Sequence, residues 1–143
     1  MGCWLPARHS AAMPILLTLA ATIALCGSAP RQTCVVDGDT FWLNGEKIRI
    51  ADINTPETGQ AACPAERARG EAAKRRLAAL LNAGPFALEV RGRAQDRYGR
   101  ALRVVMRGGR SLGGQLVAEG LAEPWRGKRS DWCMLLAEHE RRR

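Results

Sequence analysis

The stretch that decides the fold is residues 34–51, CVVDGDTFWLNGEKIRIA. Two short apolar runs flank an acidic turn that contains a glycine. Asn44-Gly45 is the dipeptide most typical of a tight β-hairpin, so residues 47–51 are expected to return as the next strand. The pattern predicts a curled antiparallel sheet.

Further along the chain the apolar residues change to helical spacing. Ala73, Leu77, Leu80 and Leu81 recur at i, i+4, i+7 and i+8, which predicts a helix over residues 65–82. The other predicted elements are strands at 86–90 and 101–106 and a helix at 111–119. This order predicts an α+β fold that is mainly β, a five-stranded OB-type barrel with two or three helices.

The composition indicates a small basic domain. The chain has 143 residues, enough for one compact domain and too few for two ordinary ones. Its 22 Lys and Arg residues outnumber its 14 Asp and Glu residues, and 46% of the chain is hydrophobic. This excludes a disordered acidic chain, a collagen-like fibre and a polytopic membrane protein. The two histidines, His9 and His139, lie near opposite ends, so any chemistry must depend on carboxylates and arginines.

The N-terminus has the layout of a secretory signal peptide. Arg8 and His9 precede an apolar run that gives way to small residues. The run has about 14 residues, fewer than the roughly 20 of a spanning helix. We expect a secreted or periplasmic protein with no stable membrane insertion after processing, although Cys26 leaves a lipoprotein open. The predicted organisation is a signal peptide at 1–28, a domain at 29–133 and a basic tail at 134–143.

Three cysteines, Cys34, Cys63 and Cys133, follow the predicted signal peptide. An oxidising compartment permits a disulfide, and three thiols allow at most one bridge within the chain, with one thiol left over. The preferred pair is Cys63 with Cys133, and three buried thiols are the alternative. A zinc site is disfavoured because there is neither a CxxC nor a companion histidine.

The first motif that could carry chemistry is the turn Asp37-Gly38-Asp39-Thr40. It presents two carboxylates and a hydroxyl around one glycine, and oxygen ligands on a tight turn suit a hard cation such as Ca²⁺. On its own, the tetrapeptide is more typical of an ordinary turn.

The second motif joins an arginine to a glutamate. Arg49 lies between Ile48 and Ile50 on a predicted strand, so its side chain points to the opposite face from theirs, where an arginine is most often solvated. Glu57 follows Pro56, which stiffens the loop and presents the carboxylate at a defined angle. Such a carboxylate can orient or deprotonate a water, and a solvated glutamate is the alternative.

The third motif is Asp96-Arg97-Tyr98-Gly99-Arg100. The glycine supplies a turn, the tyrosine offers a ring for a base or sugar, and the last arginine offers a two-pronged phosphate clamp. By itself, the pentapeptide is also typical of a surface hairpin.

Taken together and in this order, the three motifs resemble the staphylococcal nuclease family over about residues 34–125. The resemblance implies an OB-fold barrel and a Ca²⁺-dependent phosphodiesterase that acts on DNA, RNA or both. Mg²⁺ or another divalent ion stays open as the cofactor. We expect a monomer, and the family's long final helix is expected to be reduced or replaced.

For the metal, the resemblance implies Asp39, Asn54 and the backbone oxygen of Thr55 as ligands, with Asp37 as a neighbour. Asn54 departs from the family's best-known member, which has an aspartate here. An amide oxygen can ligate Ca²⁺ but carries no charge, which predicts weaker affinity or a changed ion preference. Asp52 is near enough in the sequence to be considered as a compensating ligand.

For the substrate, the resemblance implies that Glu57 positions the attacking water and that Arg49 and Arg100 grip the phosphate. Arg97 and Tyr98 would contact the nucleotide. Guanidinium groups and a cation aimed at the developing charge stabilise the transition state more than the ground state.

Two other functions stay open. The uncharged Asn54 favours a binding module, an OB-fold that holds nucleic acid but cuts it weakly or not at all. In the third interpretation the chain is a structural adaptor whose basic charge only aids solubility or attraction to anionic surfaces.

Overall fold

The computed structural model describes residues 22–143, together with Gly2. Most of the predicted signal peptide, residues 1–28, therefore lies outside the described residues. The described chain contains short strands and three helices. In chain order the elements are β1 (Ala24–Leu25), β2 (Cys34–Asp37), β3 (Thr40–Leu43), β4 (Glu46–Ile50), β5 (Ile53–Asn54), α1 (Pro64–Asn82), β6 (Ala87–Glu89), β7 (Ala101–Arg107), β8 (Arg110–Ser111), α2 (Leu112–Ala118), β9 (Glu123–Pro124) and α3 (Trp132–Arg141).

The sheet that carries the site begins with three antiparallel strands. β2 pairs with β3 and β3 with β4. β4 then pairs in parallel with β7, which also pairs with β6 and β8 in antiparallel register. Asn44 and Gly45, which join β3 to β4, have φ values of 50° and 82°, as a type I′ hairpin requires. The hairpin predicted from this dipeptide is present.

The hydrogen-bonded path through the strands is open. It runs β1-β2-β3-β4-β7-β6 with β8 beside β7, and β5 pairs with β9 in a separate ribbon. Within residues 22–143 no strand pairing closes the path on itself. The α+β class is therefore as predicted, whereas the five-stranded OB barrel is not confirmed.

Helix α1 packs against the sheet and contributes to the core. It starts with Pro64, whose missing N–H costs nothing in the first turn. Its buried face includes Ala73 and Leu77, close to the face predicted from the sequence. The core that it joins contains Val35, Phe41, Ile48, Ile50, Ile53, Val105 and Leu116. In the part of the chain described, no helix combines the length and the apolar character needed to cross a bilayer.

Helix α3 covers most of the predicted basic tail, residues 134–143. Asp131 begins it by accepting a hydrogen bond from the backbone N–H of Met134, and Trp132 is buried. A ten-residue final helix is therefore present. The terminal run of charged residues gave no indication of this helix, because Trp132, its one buried residue, lies at its start.

Two disulfides connect the described cysteines. Cys63 and Cys133 are joined, the pair preferred from the sequence, and this bond links the start of α1 to α3. Cys26 and Cys34 form the second bond. The expectation of one leftover thiol is therefore wrong, because Cys26 lies within the folded domain beside β2.

The segment around β1 belongs to the packed structure. Ile23 is buried, its N–H donates to Asn82 Oδ1 at 2.7 Å, and its carbonyl accepts from Asn82 Nδ2 at 2.8 Å. β1 pairs in parallel with β2. Cleavage after residue 28 would remove these contacts, and the processing boundary stays a prediction.

Candidate active site

The acidic turn between β2 and β3 is pressed against α1. A Cβ on Gly38 would lie 2.7 Å from Ala73 Cβ and 2.9 Å from Thr55 Cγ2, so a larger residue does not fit without a shift. Asp39 is only 7% exposed. Its Oδ2 accepts from the backbone N–H of Thr55 at 3.1 Å, and its Oδ1 accepts from Thr40 Oγ1 at 3.0 Å. The turn thus fixes one carboxylate at the base of the site.

Arg49 lies beside this carboxylate on β4. Its Nη2 is 3.4 Å from Asp39 Oδ2, and its Nη1 donates to the carbonyls of Ile50 and Ile53, the latter at 2.9 Å. Although strand alternation favours a solvated side chain, Arg49 is only 6% exposed. In place of water, the buried guanidinium donates to main-chain carbonyls on two strands, β4 and β5.

The electrostatics of Arg49 indicate which charges share its surroundings. Burial is the main cause of its lowered pKa. Asp39 opposes this effect, whereas the positive charges of Arg100 and Arg129 add to it. An anion that entered between these three guanidinium groups would relieve their mutual repulsion.

The opposite wall is the turn before β7. Asp96 Oδ1 accepts from the backbone N–H groups of Tyr98 and Arg100, both at 2.9 Å, and its Oδ2 accepts from Arg100 Nε at 2.6 Å. Burial acts to raise the pKa of Asp96, but the hydrogen bonds from Arg100 and Tyr98 outweigh it and hold the pKa below 3.8. Arg100 is anchored through Nε, which leaves its two Nη groups for a ligand.

Two aromatic rings accompany the arginines. Tyr98 is 68% exposed, and the guanidinium carbons of Arg97 and Arg100 lie 4.9 and 5.6 Å from its ring centroid. Trp125, 42% exposed, presents its ring to Arg49 at 5.7 Å. No motif in the sequence marks Trp125 as a site residue, because its position depends on the long-range pairing of β5 with β9.

Glu57 lies on a loop that α1 holds. The N–H of Glu57 donates to Glu66 Oε2 at 3.0 Å, and Glu66 Oε1 accepts from the N–H of Ala62 at 2.9 Å. A Cβ on Gly70 would lie 2.5 Å from the carbonyl oxygen of Glu57. A buried carboxylate and a glycine on one helix therefore set the backbone that presents Glu57. Glu66 belongs to none of the three sequence motifs, although an acid in the first turn of a helix is a recognisable signal.

The side chain of Glu57 forms an ion pair with Arg129 through Oε1. Arg129 lies between β9 and α3, in a stretch that no motif marked. The disulfide at Cys133 ties the start of α3 to α1 and thereby limits where this stretch can run. The spacing of these residues along the sequence does not indicate that Arg129 lies beside Glu57.

Asn54 is fully buried on β5. Its Nδ2 donates to Glu123 Oε1 at 3.0 Å across the β5–β9 ribbon. The reverse amide orientation would set an oxygen against that carboxylate, so Oδ1 is the atom without a hydrogen-bond partner among the described residues. Asp52 is held at the start of α2, where its Oδ2 accepts from Ser111 Oγ at 2.5 Å, and its Oδ1 is a second buried oxygen without a hydrogen-bond partner among the described residues.

These residues fit a hard divalent cation with few charged ligands. The Asp39 carboxylate, the unpartnered Asn54 Oδ1 and the backbone oxygen of Thr55 are all oxygen donors, which Ca²⁺ and Mg²⁺ prefer. Within residues 22–143 no three His, Cys, Asp or Glu side chains lie close enough together to hold a metal. Any ion here would depend on one buried carboxylate together with neutral oxygens.

Two adjoining cavities receive the remaining predicted residues. The larger, the arginine cleft, has a volume of about 760 Å³, and its lining includes Arg49, Arg97, Tyr98, Arg100, Trp125, Gln60 and Arg129. The smaller, the glutamate cavity, has a volume of about 540 Å³ and contains Asp37 and Glu57 in its lining. Gln60 and Arg129 line both. Arg49 and Arg100 thus converge on one cleft, while Glu57 lines the adjoining cavity, which shares Gln60 and Arg129 with the cleft.

The fold and the site define a class of small α+β domain in which arginines, a buried aspartate and a loop glutamate surround adjoining cavities. A family model described as "Staphylococcal nuclease homologue" matches residues 47–142. The chain therefore belongs to the staphylococcal nuclease family, which confirms the resemblance found in its motifs.

Three curated relatives are similar to the chain. The micrococcal nuclease of Shigella flexneri is 35% identical over 156 residues, covering 92% of this chain and 83% of that protein. Endonuclease YncB of Bacillus subtilis (strain 168) is 39% identical over 93 residues, covering 61% of this chain and 43% of that protein. The SPbeta prophage-derived endonuclease YokF of the same organism is 39% identical over 93 residues, 61% of this chain and 31% of that protein. The chain matches less than half the length of the two Bacillus proteins.

Proposed function

We propose that this chain is a metal-dependent nuclease that hydrolyses phosphodiester bonds of DNA or RNA. The observation that carries the proposal is the convergence of Arg49 and Arg100 on one cleft, with Glu57 in the adjoining cavity. The names of its relatives, a micrococcal nuclease and two endonucleases, support the same reaction class.

The two arginines stabilise the charge that develops on the phosphate. Attack on a phosphodiester concentrates negative charge on the phosphoryl oxygens as the phosphorus becomes five-coordinate. Arg49 is already oriented by Asp39 and two backbone carbonyls, and Arg100 by Asp96. Donors fixed before the substrate arrives need no reorganisation during the reaction. The planar guanidinium also offers two parallel hydrogen bonds to one phosphate.

Glu57 accepts the proton of the attacking water. Its Oε1 is paired with Arg129, and the side chain is 27% exposed, so water reaches the carboxylate. Glu66 and Gly70 fix the backbone of the same residue, so the carboxylate is aimed by α1 rather than by a free loop. A positioned carboxylate of this kind contributes typically ~10² to 10⁴ in rate as a general base.

Asp39, Asn54 and the backbone oxygen of Thr55 would hold the divalent ion, and we propose Ca²⁺ as the preferred one. When bound, such an ion supplies positive charge that polarises the phosphoryl group. The buried Asn54 Oδ1 supports this assignment, since an unpartnered buried acceptor is costly unless a cation or water satisfies it.

The Cys63–Cys133 disulfide supports a secreted or periplasmic location, and it does not depend on any residue of the predicted signal peptide. Bonds such as Cys63–Cys133 form and persist in oxidising compartments and are rare in the cytosol. The signal-peptide layout of the N-terminus favours the same location. We propose that the exported protein acts as a monomer.

The nuclease proposal is tested by incubating the purified chain with a labelled single-stranded DNA and a matching RNA. Calcium, magnesium and a chelator are compared, and Glu57→Gln is compared with the control Glu71→Gln on α1. We expect cleavage that needs the ion and falls at least about a hundredfold in Glu57→Gln only. Cleavage that survives chelation, or equal activity of the two variants, would contradict the mechanism.

The uncharged Asn54 favours a second candidate, a module that binds nucleic acid without cutting it. Retention of the labelled DNA without any cleavage in either metal would favour this module. A second experiment that separates the two candidates measures calcium binding by the double variant Asn54→Asp/Glu123→Gln. The double variant preserves a hydrogen bond across the ribbon and adds a carboxylate, so the nuclease proposal predicts tighter Ca²⁺ binding by titration calorimetry.

A further inference from the structure

The glutamate cavity contains more positive charge than the reaction described above uses. Its lining includes Arg31, Lys74 and Arg129, which come from three separate parts of the chain. Charged residues on the solvated face of one helix would all belong to that helix. These three residues instead come from a loop, a helix and a second loop. The cavity has room for more than a water molecule, with a volume of about 540 Å³.

Each cation is brought to the cavity by an identifiable feature. Lys74 is one helical turn beyond Gly70, whose Cα faces the Glu57 backbone, so both lie on the same side of α1. Arg31 lies in the loop that the Cys26–Cys34 disulfide closes. Arg129 borders both this cavity and the arginine cleft.

Of the two acids in this cavity, Glu57 is paired with a cation, and Asp37 accepts a hydrogen bond from a hydroxyl that leaves its charge in place. Asp37 Oδ1 accepts from Thr58 Oγ1 at 2.8 Å, and Glu57 is paired with Arg129. Lys74 and Arg31 form no ion pair with any residue of the described chain. The lining thus has three cations against two acids, a net positive charge, and two of the cations form no ion pair within the described residues, so the surface suits an anion.

We propose that Arg31, Lys74 and Arg129 form a second phosphate subsite, which holds the backbone phosphate next to the one gripped by Arg49 and Arg100. This inference rests on the proposed nuclease function and deepens it. Because Gln60 and Arg129 line both cavities, a strand can pass from one cavity to the other without leaving the protein surface. The subsite makes the chain select strands of several nucleotides over a single phosphodiester.

The test compares two probes, a deoxydinucleotide with one phosphodiester and a deoxytetranucleotide with three. The dissociation constant is measured by fluorescence anisotropy, and kcat/KM is measured on the same probes in calcium. We expect Arg31→Ala and Lys74→Ala each to weaken binding of the tetranucleotide by about tenfold, as for the removal of a charged hydrogen bond. Their effect on the dinucleotide should be several times smaller.

Matched controls are Arg75→Ala, next to Lys74 on α1, and Lys128→Ala, next to Arg129, since neither lines either cavity. The salt dependence gives an independent readout. The slope of log Kd against log salt for the tetranucleotide should fall by about 0.7 for each phosphate that the variant no longer neutralises, and should not change in the controls.

Equal losses of affinity on both probes, or losses no larger than those of the controls, would overturn the second subsite. Hydrolysis of the dinucleotide by the unmodified chain reports separately on the nuclease. If that hydrolysis is absent while the length-dependent binding persists, the proposed reaction fails and the subsite stands. Arg129→Ala, which also removes the partner of Glu57, is expected to lower kcat on both probes and to raise KM on the longer one alone.

Discussion

The two arginines of the cleft are held in different ways. Arg49 is buried on β4, where it is bound to two main-chain carbonyls and paired with the buried Asp39. Arg100 lies on a turn at the surface, and its side chain is anchored by Asp96. The base of the site, Arg49 with Asp39, is therefore part of the fold, whereas the rim, Arg100 with Asp96, is a local turn at the surface. Both arginines are proposed phosphate ligands. Substitutions on the two sides should separate stability from activity.

The largest effect is expected for Arg49→Ala. It leaves the Asp39 carboxylate buried without its partner, which typically costs about 3 to 5 kcal/mol. Activity should fall with it, because one of the two proposed phosphate ligands is removed. The free energy of unfolding from urea titration and kcat on a defined oligonucleotide measure both effects. Lys47→Ala, two residues earlier on the same strand, is the control and should change neither strongly.

Arg100→Ala should lower activity with little loss of stability. Removing one charge-stabilising donor costs about 10² to 10³ in kcat, whereas a partly exposed ion pair such as Arg100–Asp96 contributes less than about 1 kcal/mol to folding. The same two measurements apply, with Arg91→Ala as the surface control. A loss of stability as large as that of Arg49→Ala would show that the rim is as much a part of the fold as the base.

Gly38, next to Asp39 at the base, and Gly99, in the turn at the rim, provide a smaller contrast in stability between the two regions. Gly38→Ala forces a methyl group against Ala73 and Thr55, and overpacking of this kind costs about 1 to 3 kcal/mol. Gly99→Ala meets nothing within 4 Å but must keep a φ of 80°, which costs about 1 to 2 kcal/mol. Thermal unfolding should rank the first variant at least as low as the second. Activity should fall further in Gly38→Ala, because the shift reaches the Asp39 turn.

The smallest expected effect is the pH dependence of the stability that Asp96 contributes at the rim. The pKa of Asp96 is depressed below 3.8, so its ionised form stabilises the folded state above that pH, and this contribution is lost as the pH falls through the depressed value. Asp96→Asn should therefore be less stable than the unmodified chain near neutral pH, by under about 1 kcal/mol. The difference should shrink steadily below pH 3.8 in urea titrations. A difference that does not depend on pH would assign the effect to hydrogen bonds alone.

Local sequence rules predicted much of the fold and the rim. Asn44-Gly45 set the hairpin and the leucine spacing set α1, because both signals depend on residues within a few positions of each other. The Asp96–Arg100 turn is likewise a local structure. Asp39, Arg49 and Glu57 were predicted as site residues from motif order, and this stays a prediction. Nothing in the sequence predicted that Arg49 would be buried.

What the sequence could not predict depends on long-range contacts. Trp125 and Glu123 reach the site through the pairing of β5 with β9, and Arg129 through the stretch that leads to α3. Cys26 packs beside β2 because β1 adds to β2, and no local pattern in that segment indicates this long-range pairing. The sheet was also predicted as a closed barrel, but strand order alone does not determine whether the ends of a sheet meet.

A double-mutant cycle tests most directly whether Glu57 and Arg100 act on one phosphate. The measurement is kcat/KM on one oligonucleotide in calcium for the unmodified chain, Glu57→Gln, Arg100→Ala and the double variant. Groups that serve a single transition state are strongly non-additive, so the double variant should be slower than the slower single variant by much less than the product of the two effects. Effects that multiply fully, as for independent sites, would contradict a shared phosphate.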